Sequence, residues 1–202
     1  MASSVANVID TNHAQARASA HVVFDTALGQ FIAELFVRQA PLTVANFLNY
    51  IRGGFYTDAT FYRATRPDND LHSYNIRVIQ GGMGLAFEHA PVLPPIPHES
   101  TAMTGLRHVD GALSMARWAM GTAASEFFIV LGDTPALDCG SELNPDLQGY
   151  AVFGRVVHGM DVVRLINASP TGTTSDVEYM KGQALVPPIA VRVSVQLADF
   201  ET

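Results

Sequence analysis

Short runs with a two-residue period fill most of this chain, and that pattern leaves few folds open. Val191, Val193, Val195 and Leu197 alternate with Arg192, Ser194, Gln196 and Ala198, the mark of a strand with one buried face. His21 to Asp25 and Gly29 to Phe36 flank Thr26, Ala27 and Leu28, which predicts a hairpin. Further strand-type runs are Thr60–Ala64, Ile76–Gly81, Ala112–Arg117, Glu126–Leu131, Ala151–Val157 and Ile189–Ala198, making eight in all. Helical patterns are few and far apart. Pro41 suits a first helical position, Val44, Leu48 and Ile51 share a face, and Gly53 and Gly54 end a helix over Pro41–Arg52. A shorter helix follows Gly159, with Val162, Val163 and Ile166 as its apolar stripe. Strands in bulk with two separated helices argue against a wound βαβ sheet. They predict a mainly β fold, an antiparallel barrel or sandwich with two helices packed outside.

The chain is long enough to bury a core without a metal or disulfide: 202 residues, 48% apolar and only 15% charged. One domain over residues 20–202 is expected, after a small, polar, flexible arm over residues 1–19. The single cysteine, Cys139, excludes an intrachain disulfide. A net charge of −7 opposes binding to a phosphate backbone. No apolar run reaches the roughly 18–20 residues that a membrane helix needs, and Met1 to Ala20 lack the charged-then-apolar pattern of a leader. The expectation is a monomer in the cytoplasm, or in the periplasm if a leader has been removed. Arg66–Tyr74, the proline-rich His89–Glu99 and Asp138–Gly149 read as long loops.

Familiar catalytic signatures are missing. There is no Gly-x-Ser-x-Gly elbow, and Gly81-Gly82-Met83-Gly84 lacks the following helix that a phosphate-binding loop requires. The seven histidines show no His-x-x-x-His spacing. His98 and Glu99 read as part of a solvated loop rather than as metal ligands with His89 or His108. No metal and no cofactor is expected. Either the chain is not an enzyme, or its reaction needs neither proton transfer nor a covalent intermediate.

Phe61-Tyr62-Arg63 followed by Val78-Ile79-Gln80-Gly81-Gly82 resembles the cyclophilin-type peptidyl-prolyl cis–trans isomerases. So do Pro41-Leu42-Thr43-Val44-Ala45-Asn46-Phe47, Gly111-Ala112-Leu113-Ser114-Met115-Ala116, Ser125-Glu126-Phe127-Phe128-Ile129, Tyr150-Ala151-Val152-Phe153-Gly154-Arg155-Val156 and Gly159-Met160-Asp161-Val162-Val163, in order along the chain. The resemblance implies a closed eight-stranded antiparallel β-barrel capped by two α-helices. It also implies a reaction that fits the missing machinery, because rotation about an X–Pro bond breaks no covalent bond. The obstacle is partial double-bond character, with a barrier of about 18–20 kcal/mol for peptide bonds in general. By resemblance Arg63 is the catalytic arginine and Gln80 the glutamine that holds it. Phe128, Leu137 and Val78 match the proline pocket, and Ala116 and Arg117 the backbone that grips the peptide. Because Phe127 and Phe128 are adjacent in a strand, one is expected in the core and the other in the groove. The partners implied are proline-containing peptides and unfolded or partly folded proteins; a non-catalytic peptide-binding module on the same barrel is the alternative.

The sequence departs from the family at several places. Glu126 replaces the usual glutamine and is expected to pair with and orient Arg63. Ala136 sits where many members carry the tryptophan that binds cyclosporin, so weak binding of that drug is implied. Trp118 lies elsewhere, where it can flank the pocket for residues preceding proline. Tyr150 replaces a histidine at the pocket edge, as in bacterial-type members. An insert around Pro67 to Tyr74 aligns Arg77 with the pocket phenylalanine, and Cys139–Gln148 is a second insert.

Overall fold

A computed structural model describes residues 20–70, 74–84, 93–173 and 180–196. The expected arm at 1–19 and the end of the last predicted strand lie outside the described residues, as do parts of the loops at 66–74 and 89–99. The elements are β1 (Ala20–Thr26), β2 (Gly29–Leu35), α1 (Pro41–Arg52), β3 (Thr60–Thr65), β4 (Val78–Gly82), α2 (Thr101–Thr104), β5 (Ala112–Met115), β6 (Phe127–Val130), β7 (Ala151–His158), α3 (Met160–Asn167) and β8 (Ala184–Val195). The eight strands close an antiparallel barrel in the order β1-β2-β7-β5-β6-β4-β3-β8, with β8 returning to β1. Closure removes the free edges that an open sheet would expose.

The barrel interior is aromatic. Phe24, Phe31, Phe61, Phe127 and Phe153 are fully buried, together with Phe47 from α1. Phe24 stacks on Phe31 at 4.6 Å, and Phe47 meets Phe127 edge-on at 5.5 Å. Both predicted capping helices form. In α3 the stripe Val162, Val163 and Ile166 is buried as expected. In α1 the buried face is turned from the predicted one: Val44, Phe47 and Tyr50 go inward, while Leu48 and Ile51 pack at its margin. Two large rings with the barrel mouth beneath them outweigh the aliphatic stripe. The short α2 is a third helix, a single turn ended by Gly105 in the left-handed region.

Helix α1 also corrects a loop assignment. Its N-cap is Ala40, which has no side chain to accept the first backbone N–H groups. Glu99 supplies that acceptor from a distant segment. Its Oε2 accepts the Thr43 N–H at 2.8 Å and the Thr43 hydroxyl at 2.6 Å, and its Oε1 accepts the Leu42 N–H at 3.2 Å. The carboxylate is buried, not solvated as the sequence reading had it, and it sits at the positive end of the helix.

Candidate active site

Strand alternation would send Arg63 inward with Phe61, since residues two apart share a face. The pairing of β3 with β4 prevents this. Its register shifts between Phe61 and Arg63, and a bulge of this kind turns two consecutive residues to one side. Phe61 and Ala64 enter the core, while Tyr62 and Arg63 both turn to the barrel's outer face. Arg63 then stands opposite Gln80, Gln80 opposite Phe128, and Phe128 opposite Ser114. One row across β3, β4, β6 and β5 thus carries a cation, an amide, a ring and a hydroxyl.

The guanidinium is fixed from two sides. Its Nη1 donates to Gln80 Oε1 at 3.0 Å. Its Nε and Nη2 both donate to Gln183 Oε1, at 2.9 and 2.7 Å. Gln183 is itself buried, donates through Nε2 to the Asn69 carbonyl at 2.8 Å, and accepts the Ala64 N–H on its own carbonyl. Gln80 Nε2 donates to the Tyr62 hydroxyl at 2.9 Å. The orienting role expected of Glu126 therefore falls to Gln183. The sequence carries no sign of this, because Gln183 lies 120 residues from Arg63 in the chain.

Glu126 is nearly fully buried. Its Oε1 accepts the Met83 N–H at 2.9 Å and the Ser125 hydroxyl at 3.0 Å, and its Oε2 has no hydrogen-bond partner among the described residues. Burial pushes its pKa up to about 7, against the opposing pull of the Tyr62 and Ser125 hydroxyls and the Met83 and Gly84 amides. Gly82 is required here. It has φ +146, and a Cβ on it would meet the Glu126 carboxylate at 2.5 Å.

The other half of the site is apolar. Phe128, Val78 and Leu137 form one buried cluster with Ile76, Ala112, Val130 and Val152, and Ala116, Leu143 and Tyr150 lie at its margin. Tyr150 meets Phe128 edge-on at 5.2 Å. Phe127 faces the core and Phe128 this cluster, as the alternation predicts. Behind Phe128, the His108 ring lies parallel to it at 6.0 Å. His108 Nδ1 is 2.7 Å from Asp138 Oδ1, and Nε2 is 3.0 Å from the Ser114 hydroxyl. Burial lowers the His108 pKa, so the ring is neutral at pH 7. Asp138 can only accept, which puts the ring proton on Nδ1 and makes Nε2 the acceptor for Ser114.

The remaining predicted residues divide. Ala116 borders the apolar cluster and donates its N–H to the Glu126 carbonyl at 2.8 Å. The Arg117 side chain makes a bidentate pair with Asp146, at 2.7 and 2.9 Å, and donates to the Gly149 carbonyl. It ties the insert to the pocket and covers the Tyr150 ring at 5.4 Å. That ion pair holds Asp146 down at about 2. Trp118 stands exposed on the β5–β6 loop. Arg77 does not take the place of a pocket phenylalanine. It is exposed and lines a separate cavity of about 480 Å³ with Asp110 and Arg164, while Ile76 enters the pocket cluster. Among the described residues, no three His, Cys, Asp or Glu side chains are grouped as a metal ion would require.

A closed antiparallel barrel with two capping helices, an arginine fixed on its outer face and an apolar pocket in the same strand row define a cyclophilin-like barrel. The family model described as "Cyclophilin type peptidyl-prolyl cis-trans isomerase/CLD" matches residues 21–184, and the chain belongs to this family of enzymes. It is 33% identical over 172 residues to the peptidyl-prolyl cis-trans isomerase A of Dickeya dadantii (strain 3937), covering 85% of this chain and 83% of the relative. It is 37% identical over 154 residues to the isomerase B of Escherichia coli (strain K12), covering 75% and 86%. A crystal structure of a Cryptosporidium parvum cyclophilin-type isomerase in the presence of the dipeptide Ala-Pro shares the fold, with a TM-score of 0.68 at 22% identity, covering 88% of this chain and 99% of that one.

Proposed function

We propose that this isomerase holds a prolyl ring against Phe128, Leu137 and Val78 and aims the Arg63 guanidinium at the prolyl nitrogen. The observation that carries this reading is the row joining Arg63, Gln80 and Phe128, which sets a fixed cation beside a buried apolar pocket. In the planar amide the nitrogen lone pair is committed to the carbonyl. It becomes an acceptor only as the bond twists, so a donor aimed at it is stronger in the transition state than in the ground state. No cofactor or covalent intermediate enters. Proline-containing peptides and unfolded or partly folded chains are the substrates, with Ala116 and Arg117 gripping the peptide backbone and Tyr150 walling the pocket edge. Trp118 flanks the segment preceding proline. Ala136 offers no indole to cyclosporin, which therefore binds weakly.

Exchange NMR on a blocked Ala–Pro peptide tests the reading. Arg63→Ala lowers kcat/KM by about 10²–10³-fold, the loss typical of removing one preorganised donor, with circular dichroism unchanged. A folded Arg63→Ala protein that isomerises within a few-fold of wild type overturns it. Peptide bound by wild type without acceleration assigns the barrel to binding alone.

A further inference from the structure

We infer that Asn69 is a positioning residue for Arg63: it fixes Gln183, and Gln183 fixes the guanidinium. The inference rests on the reading of Arg63 as the group that meets the prolyl nitrogen. Gln183 Oε1 takes both the Nε and the Nη2 hydrogens of Arg63, at 2.9 and 2.7 Å, and so sets the plane of the guanidinium. It can do this only while its oxygen faces the arginine. A guanidinium and an amide NH₂ both donate, and nothing in Gln183 itself prefers one orientation of its amide. The Asn69 backbone carbonyl makes the choice. It only accepts, and it lies 2.8 Å from Gln183 Nε2. A flipped amide would set oxygen against that carbonyl and NH₂ against the guanidinium, two unfavourable contacts for a side chain that is almost fully buried.

The barrel ladder is interrupted where Gln183 has to be held. Phe61 of β3 pairs with Ile189 of β8 but Arg63 pairs with Ala184, so the register breaks close to Gln183. Pro187 and Pro188 lie in the break and have no N–H to offer. The Asn69 side chain supplies cross-strand bonds there. Its Nδ2 donates to the Ala64 carbonyl at 3.1 Å and to the Gly182 carbonyl at 2.9 Å, joining the residue after Arg63 to the residue before Gln183. Its Oδ1 accepts the Arg66 N–H at 2.7 Å, which closes the turn at the start of the 67–74 insert. Both amide hydrogens and the oxygen are thus used, and together they fix the backbone that carries the Asn69 carbonyl. Arg66 ties the same turn to the segment that ends α3, donating to the Asn167 carbonyl at 2.6 Å and to the Thr171 hydroxyl at 3.0 Å. The start of the insert is therefore a brace for Arg63.

The test takes kcat and KM from exchange NMR line shapes on the blocked Ala–Pro peptide, together with the rate at which the Arg63 Nε–H exchanges with water. Asn69→Ala removes the brace. Asn69→Ser keeps an acceptor for the Arg66 N–H and loses the two donated bonds, and it carries the same readings if the alanine variant does not fold. Both lower kcat by about three- to tenfold with KM within about twofold, the size of one lost orienting hydrogen bond. Both also speed exchange of the Arg63 Nε–H, because Gln183 Oε1 no longer holds it. Added to Gln183→Met, either substitution costs nothing further, since the route is already cut. A folded variant with wild-type kcat overturns the inference, as does an Nε–H exchange rate that does not move. A loss as large in the Gln183→Met background as in wild type overturns the route through Gln183. Failure of the Arg63 reading is separate: it shows as activity retained in Arg63→Ala and leaves the exchange result standing.

Discussion

Two buried carboxylates sit at opposite ends of the candidate groove, and their pKa values move in opposite directions. Glu126 lies at the polar end, against Tyr62, Ser125 and backbone amides, and rises to about 7. Asp138 lies behind the apolar end. Burial pushes it up too, but the His108 ring and backbone N–H, and then Arg107 at 3.4 Å, outweigh burial and leave it below the usual carboxylate value. Glu126 is the more deeply buried of the two, and the partners differ as well. Glu126 has only neutral hydroxyls and amides about it, and its Oε2 lacks a hydrogen-bond partner among the described residues, whereas Asp138 has an imidazole fixed on it and a guanidinium at its rim. One acid is poised to change state near neutral pH, and the other is a permanent acceptor that holds the wall behind Phe128.

The largest way to break this comparison is Asp138→Ala. It strands the His108 ring N–H and backbone N–H in a buried place, at about 1–3 kcal/mol for each unsatisfied group, so unfolding by urea at pH 7 should show a loss of about 2–4 kcal/mol. A loss below 1 kcal/mol would mean that water or a local shift repairs the site. Its acid dependence has a definite sign. Asp138 has a depressed folded pKa, so its stabilisation is present above the ordinary carboxylate value of 3.8 and is lost as pH falls below it.

Glu126 should behave in the reverse manner. Its folded pKa of about 7 exceeds the ordinary 4.5, so its burial favours folding fully below pH 4.5 and that advantage disappears as pH rises through 7. The span corresponds to roughly 3 kcal/mol, as an order of magnitude. Glu126→Gln should therefore be more stable than wild type by about 1–3 kcal/mol at pH 8.5, and by less at pH 5, when urea midpoints are compared. A variant less stable at both pH values would mean that the carboxylate is held by more than its burial implies. The smallest effect belongs to Asp146. It is partly exposed, so Asp146→Ala should change stability by under about 1 kcal/mol, while limited proteolysis should cut the 139–148 insert faster once Arg117 no longer ties it down. An unchanged cleavage rate would show that Leu143, packed on the pocket cluster, holds the insert without the ion pair.

Much of this molecule was legible in the sequence. The strand runs, the hairpin at Ala27 and Leu28, both capping helices and the opposite faces of Phe127 and Phe128 all follow from local periodicity. Arg63 and Gln80 were found by resemblance, and the structure brings them together. What sequence reasoning missed depends on distant contacts. Strict alternation would have buried Arg63 with Phe61, and the bulge that turns it out is a property of the β3–β4 pairing. Glu99 caps a helix through Leu42, 57 residues earlier, and neither segment advertises the other. Arg77 aligns with the pocket only by counting across an insert, and the structure puts Ile76, just before β4, in the pocket cluster instead.

The sequence by itself determined which segments are strands and helices and which residues can donate or only accept. Those properties depend on neighbours one to four residues apart, and the chain states them directly. Only the tertiary structure decided which acceptors hold Arg63, which acid keeps its charge and which one titrates near neutrality. Those outcomes depend on desolvation and on partners brought together across the barrel, and neither exists until the strands have closed.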